Sequence, residues 1–316
     1  MKHPDDGIQV IGLGQASVDY LGRVPIYPHE DEKTELQDLH VQCGGPASTA
    51  LVTLSRLGIR TSFLGSISDD ALGHKILEAL RTEKVDATFL KITPGHSSQF
   101  AFIAINRTDG KRTIFWHRGS VPRLKAEDID LGPFRDARIL LVDSLMIEAA
   151  IKAAEQAKAL GLKVVMDAGT MREDSMKLLS FVDVVIASER FADPLVGAQA
   201  EPEKALEALR SFCKGNVIIT LGARGSIGLE NNHIIRQKAF SINVSDTTGA
   251  GDVYHGAYIY GLLRGWGMQE CMHFASAASA LKCQQVGARR GIPTLEDIEQ
   301  FLDHRNHGNK SNPDVL

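Results

Sequence analysis

The chain has 316 residues, 43% of them hydrophobic and 23% charged, with a formal net charge of -4. That length buries one large α/β core, or a core with a small accessory layer, and the balanced charge lacks the basic excess typical of nucleic-acid binders. No apolar run approaches the ~20 residues that cross a bilayer, and Met1 to Asp6 is polar ahead of Ile8, so the expectation is a cytoplasmic protein with no nucleic-acid and no membrane partner.

Short β-branched runs alternate with helical patterns, which predicts a mostly parallel sheet flanked by helices. Ile8 to Leu13 reads as the first strand. The stretch Gly12-Leu13-Gly14-Gln15-Ala16-Ser17 half-matches a dinucleotide fingerprint, but Ser17 replaces the third glycine and Tyr20 to Pro25 does not continue a helix, so that cofactor is not expected. Ala47 to Leu57 reads as a helix, with Ala47, Ala50, Leu51, Leu54 and Leu57 on one face and Gly58 as its stop. Thr61 to Gly65 is a strand and Asp70 to Arg81 a helix. Glu32 to Cys43 and Ser97 to His117 break the alternation with period-2 patterns, the second containing a Thr108-Asp109-Gly110 hairpin turn. These segments predict a small β-sheet lid, from about 15–43 and 95–118, of the kind that keeps water from a reactive phosphoryl group. Ile139 to Val142, Val164 to Asp167, Val182 to Ala187 and Val217 to Leu221 are continuous apolar runs, as in strands buried on both faces. Glu148 to Leu160 and Glu203 to Cys213 read as the helices between them. The tail from His304 to Leu316 is polar and expected to fray, which leaves one domain over 1–303.

Cys43, Cys213, Cys271 and Cys283 form no C-x-x-C pair and read as reduced, buried thiols. There is no H-E-x-x-H, no zinc-spaced Cys/His cluster, no G-x-x-x-x-G-K-[ST] and no G-x-S-x-G. The informative stretch is Asp246-Thr247-Thr248-Gly249-Ala250-Gly251-Asp252, ahead of a helical pattern from Val253 to Arg264. A glycine turn at a helix N-terminus presents unpaired amides and a positive dipole end to an anion. From the first helical turn, the Asp252 carboxylate could take a proton from a hydroxyl as that oxygen attacks a phosphate. The same motif also serves as a plain acidic helix cap.

These residues resemble the C-terminal signature of the PfkB, or ribokinase-like, carbohydrate kinases, continued in Val253-Tyr254-His255-Gly256-Ala257. Gly44-Gly45-Pro46-Ala47-Ser48-Thr49-Ala50, running to Leu57-Gly58, resembles the N-terminal signature. Asp19, Thr220-Leu221-Gly222-Ala223-Arg224-Gly225, Gly287-Ala288 and Pro293 fall in family order, so the resemblance spans residues 8 to about 302. It implies a central sheet between helices, a β-lid that commonly mediates a homodimer, and ATP-dependent phosphorylation of a small sugar-like substrate. Asp252 would then be the base, and Gly249, Ala250 and Gly251 the anion hole. Asp19, Gly44, Gly45, Thr49 and Asp143 would face the sugar, with Lys33 placed to meet a negative group on it. Thr220, Gly222, Gly225, Ser188 and Ala278 would face ATP. Mg2+ would bridge the phosphates. Backbone groups of Asp246, Thr248, Lys282, Gly287 and Gly291 would hold a monovalent cation such as K+.

Two departures stand out. Thr49 replaces a common Asn, and Ser188-Glu189-Arg190-Phe191 replaces the family's N-x-x-E, so metal and phosphate dependence are open. Gly44 to Ala47, Phe274 to Cys283, Gly291-Ile292-Pro293 and Lys33 are similar to the sulfofructose kinases of this family, but Trp116-His117 stands where a polar contact to sulfonate is expected. The aromatic residues Phe100, Phe102, Phe115 and Trp116 keep a nucleoside kinase of the same fold as an alternative, and the missing N-x-x-E keeps a catalytically silent sugar or nucleotide sensor.

Overall fold

The computed structural model describes residues 7–108 and 110–308, without the side chains of 306–308. The polar segment Met1 to Asp6, Asp109 of the hairpin turn, and residues 309–316 of the expected tail lie outside the described residues.

Six parallel strands form the body of an eight-stranded sheet. In spatial order they are β12 (Asn216–Thr220), β11 (Val184–Ser188), β10 (Lys163–Ala168), β9 (Ile139–Asp143), β1 (Val10–Leu13) and β4 (Thr61–Leu64). An antiparallel hairpin, β13 (Ser226–Glu230) and β14 (His233–Gln237), extends the β12 edge. Successive residues of each parallel strand point to opposite faces. Val10, Leu141, Val165 and Ile186 therefore enter one core, while Ile11, Leu140, Val164 and Val185 enter the other. The first core is closed by α1 (Pro46–Arg56), α2 (Ala71–Thr82), α7 (Ala250–Arg264), α8 (Met268–Cys283) and α9 (Leu295–Gly308). The second is closed by α3 (Ile147–Ala159), α4 (Ser175–Leu179) and α6 (Pro202–Arg210). Burial on both faces explains the unbroken apolar runs, each fully buried Val, Leu or Ile contributing about 1.5–3 kcal/mol.

A separate four-stranded sheet has the order β3 (Leu39–Gly44), β2 (Ser17–Val24), β7 (Phe100–Asn106), β8 (Arg112–His117). Its β2 and β7 are parallel and its other pairs antiparallel. A two-stranded sheet of β5 (Ser66–Ser68) and β6 (Lys91–Thr93) lies nearby. The mostly parallel sheet between helices, with a smaller separate sheet, is the fold class expected from the sequence.

Several details differ from expectation. The period-2 pattern of residues 32–38 is not a strand, and β3 begins only at Leu39. Strand β2 and the β13–β14 hairpin carried no sequence signal that was used. Helix α7 starts at Ala250, because Gly249 takes a left-handed conformation (φ 76°) and caps it one turn earlier than Val253. The expected tail is helical as far as Gly308 within α9. All four cysteines are free and buried, as expected.

Candidate active site

The loops at the C-terminal ends of the parallel strands face α7 and the small sheet, the usual position for a site in an open α/β fold. At its centre is the first turn of α7. The Ala250 amide is engaged, donating to Thr247 O at 3.2 Å. Among the described residues, the amides of Gly251 and Asp252 have no protein acceptor, and a Cβ built on Gly251 would meet nothing within 4 Å. An open, dipole-favoured anion site therefore sits beside the half-buried Asp252. Of the three cradle residues expected from sequence, Gly251 supplies the open amide, Gly249 the bend, and Ala250 a wall of the cleft.

The environment of Asp252 is crowded with charge. Burial, reinforced by the neighbouring Asp167, pushes its carboxyl up to about 6, while His255, Arg112 and, more weakly, other groups act on it. His255, one turn along α7, brings Nδ1 to Gly251 O at 2.6 Å and Nε2 to Ile186 O at 3.1 Å and Asp167 Oδ1 at 3.5 Å. Both ring nitrogens thus face oxygens, and Asp167 lies beside Nε2. Arg112 reaches over from β8, donating Nη1 to Thr247 Oγ1 at 2.9 Å. Sequence reasoning passed over Asp167, His255 and Arg112. His255 was visible four residues after Gly251, where a helical side chain returns to the same face. Pairing with Arg112 depends on the packing of two sheets and leaves no local pattern.

One side of this turn opens into a cavity of about 510 Å³. Thr220, Gly222 and Gly225 line it, together with Phe240, Val244, Thr247, Tyr254, Ser276, Ser279 and Cys283. Ala278 is fully buried and does not reach it, its neighbours Ser279 and Ala280 taking that place on α8. Ser188 also lies outside the lining, its hydroxyl donating to Gly169 O at 2.7 Å. Glu189 is ion-paired with Arg224.

The residues expected to face a sugar do not line that cavity. Asp19 on β2 is buried; its Oδ1 accepts the Ser17 hydroxyl at 2.7 Å, and burial raises its carboxyl while Ser17 and Arg289 oppose the shift. A Cβ on Gly44 would stand 2.0 Å from Asp19 Oδ2, so only glycine lets β3 come this close. Arg289, 5% exposed, donates Nη2 to Gly44 O at 3.2 Å and to Ser48 Oγ at 2.8 Å, and ties this turn to the loop after α8. Asp143 is not presented to the cleft. Its oxygens accept the Gln15 amide at 2.7 Å and the Leu145 amide at 3.0 Å, and burial pushes it up to about 7. Thr49 is fully buried, with its Oγ1 unpartnered. Lys33 is exposed in the irregular segment before β3 and lines neither cleft.

The five residues expected around a monovalent cation do come together. Asp246 Oδ1 accepts the Thr248 amide and hydroxyl at 2.8 and 2.7 Å, and Oδ2 accepts the Gly287 amide at 2.7 Å. Gly291 packs beneath the Lys282 carbonyl. However, the fully buried Lys282 donates Nζ to Asp246 O at 2.8 Å. Burial lowers this amine and Asp246 opposes the shift. The chain's own ammonium thus uses the carbonyl that a metal cation would need.

Comparison with known proteins bears on this geometry. The profile described as pfkB family carbohydrate kinase matches residues 9–295. The chain is 28% identical to a ribokinase of Haemophilus influenzae, over 92% of this chain and 97% of that one. It is 29% identical to a 5-dehydro-2-deoxygluconokinase of Shouchella clausii, over 94% and 96%. Among solved structures, the ribokinase of Thermotoga maritima superposes with a TM-score of 0.82 at 25% identity, covering 94% of this chain and 100% of that one. A ribokinase of Arabidopsis thaliana, in complex with ribose and ATP, gives 0.80 at 25% identity, covering 93% and 98%.

Proposed function

The chain belongs to the pfkB family of carbohydrate kinases, and on that footing we propose that it transfers the terminal phosphoryl group of ATP to a hydroxyl of a small sugar or sugar derivative, with Asp252 as general base. The observation that carries this is the half-buried Asp252 standing beside two amides, unpartnered among the described residues, at the N-terminus of α7, where Thr247, Ala250 and Gly251 line the 510 Å³ cavity. A carboxyl raised to about 6 is ionised at neutral pH yet basic enough to share a hydroxyl proton. The Gly251 and Asp252 amides and the Arg112 guanidinium spread the charge of the transferring group, where most phosphoryl-transfer catalysis arises. His255 holds the Gly251 carbonyl, and so fixes the peptide whose amide points into the cradle.

Thr220, Gly222, Gly225 and the α8 residues Ser279 and Cys283 would take the nucleotide, and Asp19, Gly44 and Gly45 the sugar hydroxyls. Residues 1–303 act as one kinase domain, with the small sheet from segments 15–43 and 95–118 as its lid. Exposed Leu39, Val41 and Phe115 on that sheet favour a homodimer formed through it. Mg2+ is implied by the family. No three His, Cys, Asp or Glu side chains converge as a metal site among the described residues. Asp167 Oδ2, buried and without a hydrogen-bond partner among the described residues, is the oxygen of this chain that would help hold such an ion against the phosphates. When bound, it would neutralise phosphate charge. A monovalent cation does not fit the expected donor set, because Lys282 already occupies Asp246 O.

Asp252→Asn is expected to lower kcat by about 10²–10⁴-fold on the true acceptor with little change in thermal stability. Near wild-type turnover would remove Asp252 from the role of base, and absence of ATP-dependent transfer from the wild type would favour the silent sensor. The aromatic lid residues do not favour a nucleoside, since Phe102 packs against Phe115 and Phe100 against His117 and Tyr20.

A further inference from the structure

The second cleft carries a charge pattern that the family assignment does not explain. It is lined by Gln15, Gln99, Trp116, Arg118, Arg123 and Arg172 among others, and no Asp or Glu contributes to it. The chain as a whole is acidic, with 39 Asp and Glu against 35 Lys and Arg, so this is a local reversal of sign. The three arginines reach the cleft from two separate places, Arg118 and Arg123 after β8 and Arg172 after β10. None forms a salt bridge among the described residues. Arg118 makes one long contact, from Nη2 to Val121 O at 3.4 Å, and the guanidinium groups of Arg123 and Arg172 have no hydrogen-bond partner there. Three like charges gathered without a counter-ion repel one another, and a bound anion converts that repulsion into charge-assisted, bidentate hydrogen bonds.

We propose that the acceptor is an anionic sugar and that Arg118, Arg123 and Arg172 form the subsite for its carboxylate, sulfonate or phosphate group. This rests on the kinase reading above and adds the substrate class. The anion is not part of the nucleotide, since this cleft shares no lining residue with the cavity beside Gly251. The cleft's Gln15 edge connects to Asp252 through the ends of the parallel strands. Gln15 follows β1, and its amide is bound by Asp143 at the end of β9, which is paired with Asp167 of β10, a charge that acts on Asp252. Two strand spacings separate β1 from β10, on the order of 10 Å. A sugar acid lying across them would carry its anion among the arginines and its reacting hydroxyl at the base. The Gln15 and Gln99 amides would meet intervening hydroxyls, and Trp116 offers a ring face to the sugar.

The test pairs neutral aldoses and ketoses with their carboxylate, sulfonate and phosphate derivatives, on wild type, Arg172→Gln, Arg123→Gln and the double variant. Phosphoryl transfer is measured, and binding of the same probes is followed by calorimetry independently of turnover. Both Arg123 and Arg172 are exposed, so these variants should fold. The expected result is kcat/KM at least about tenfold higher for one anionic series, with each substitution raising its KM by about 10- to 100-fold and leaving kcat nearly unchanged. The preferred series identifies which oxyanion the subsite takes. Equal use of neutral and charged members, substitutions that weaken both equally, or no binding of any charged probe would overturn the inference. Arginine-dependent binding of an anionic sugar without phosphoryl transfer would uphold the subsite and bring down the kinase reading instead.

Discussion

Two glycine turns face each other across the site, and they use the same residues for opposite ends. Gly45 precedes α1 with φ 96° and Gly249 precedes α7 with φ 76°, so each caps a helix in a conformation that suits glycine. At the first turn the space is already full. A Cβ on Gly44 would stand 2.0 Å from Asp19 Oδ2 and one on Gly45 2.3 Å from Gln15 O, and the Ala47 amide of α1 is bound by the protein's own Asp143. At the second, Gly251 faces open space and its amide has no acceptor. One helix end has its positive dipole answered within the fold and the other leaves it for a ligand. A glycine-rich turn therefore indicates an anion site only where the chain itself leaves the space and the amides open.

After loss of the base itself, filling the open turn should have the largest effect. Gly251→Ala puts a methyl group into the cradle without touching any protein atom within 4 Å. Thermal stability should change little, or rise slightly as Ala favours helix, while kcat falls about 10²-fold, the scale of losing one stabilising donor. Unchanged kcat would mean that the phosphoryl group does not pass this turn.

The two turns also separate on acidification. Asp252 must be ionised to act as a base, and its carboxyl is raised to about 6. The kcat/KM for the sugar should be flat above that value and fall about tenfold per pH unit below it. Asp143, raised to about 7 in the folded state, works in the other direction. The folded protein binds this proton more tightly than the unfolded chain does. Its favourable contribution is complete below the ordinary carboxylate range and is lost as pH rises through about 7. Loss of rate between pH 6 and 5 should therefore not be accompanied by unfolding at α1, which circular dichroism on the same samples would check.

How much of this was legible in the sequence follows from the range of the interactions. Continuous apolar runs such as Ile139 to Val142 fixed the buried strands, because burial on both faces leaves a local trace. The Gly249-Ala250-Gly251-Asp252 turn was legible for the same reason, since its chemistry lies within four residues. Ala250 was only partly read, because use of its amide by Thr247 is a matter of turn geometry. Strand β2 was missed because Ser17 to Val24 holds three glycine or charged positions, Asp19, Gly22 and Arg23, against a single apolar alternation, and it is completed by pairing with β7, some eighty residues on. Asp143 looked like a sugar ligand at a strand end, but tertiary packing turned both of its oxygens onto amides. The arginine cleft drew no notice because its members lie in three loop positions with no shared spacing.

The closed turn is the place to overfill. Gly44→Ala forces Asp19 to move, since the contact would be 2.0 Å, far inside van der Waals distance. Overpacking of this kind costs about 1–3 kcal/mol, and the melting temperature should fall. A displaced Asp19 should raise KM for the sugar with a smaller change in kcat and little in KM for ATP. An equal rise in both KM values would mean that the two turns are coupled through Arg289, which bridges Gly44 O and Ser48 to the loop after α8.

The smallest expected effect concerns the support beneath the open turn. In the donor set around Asp246, the carbonyl oxygen is held by Lys282 Nζ at 2.8 Å and the carboxylate oxygens by the Thr248 and Gly287 amides. A potassium ion placed among these groups would have to displace an ammonium that is fully buried with the chain around it, and like charges at such separation repel strongly in a poorly hydrated interior. Replacing K+ by Na+ or by choline at constant ionic strength should therefore change kcat by less than about twofold, since general screening is held fixed. The open cradle would then be braced by a covalently attached cation, just as the closed one is braced by the buried Asp143 carboxyl. Strong activation by K+ alone would show that Lys282 yields its place when the enzyme turns over, and would break that symmetry between the two turns.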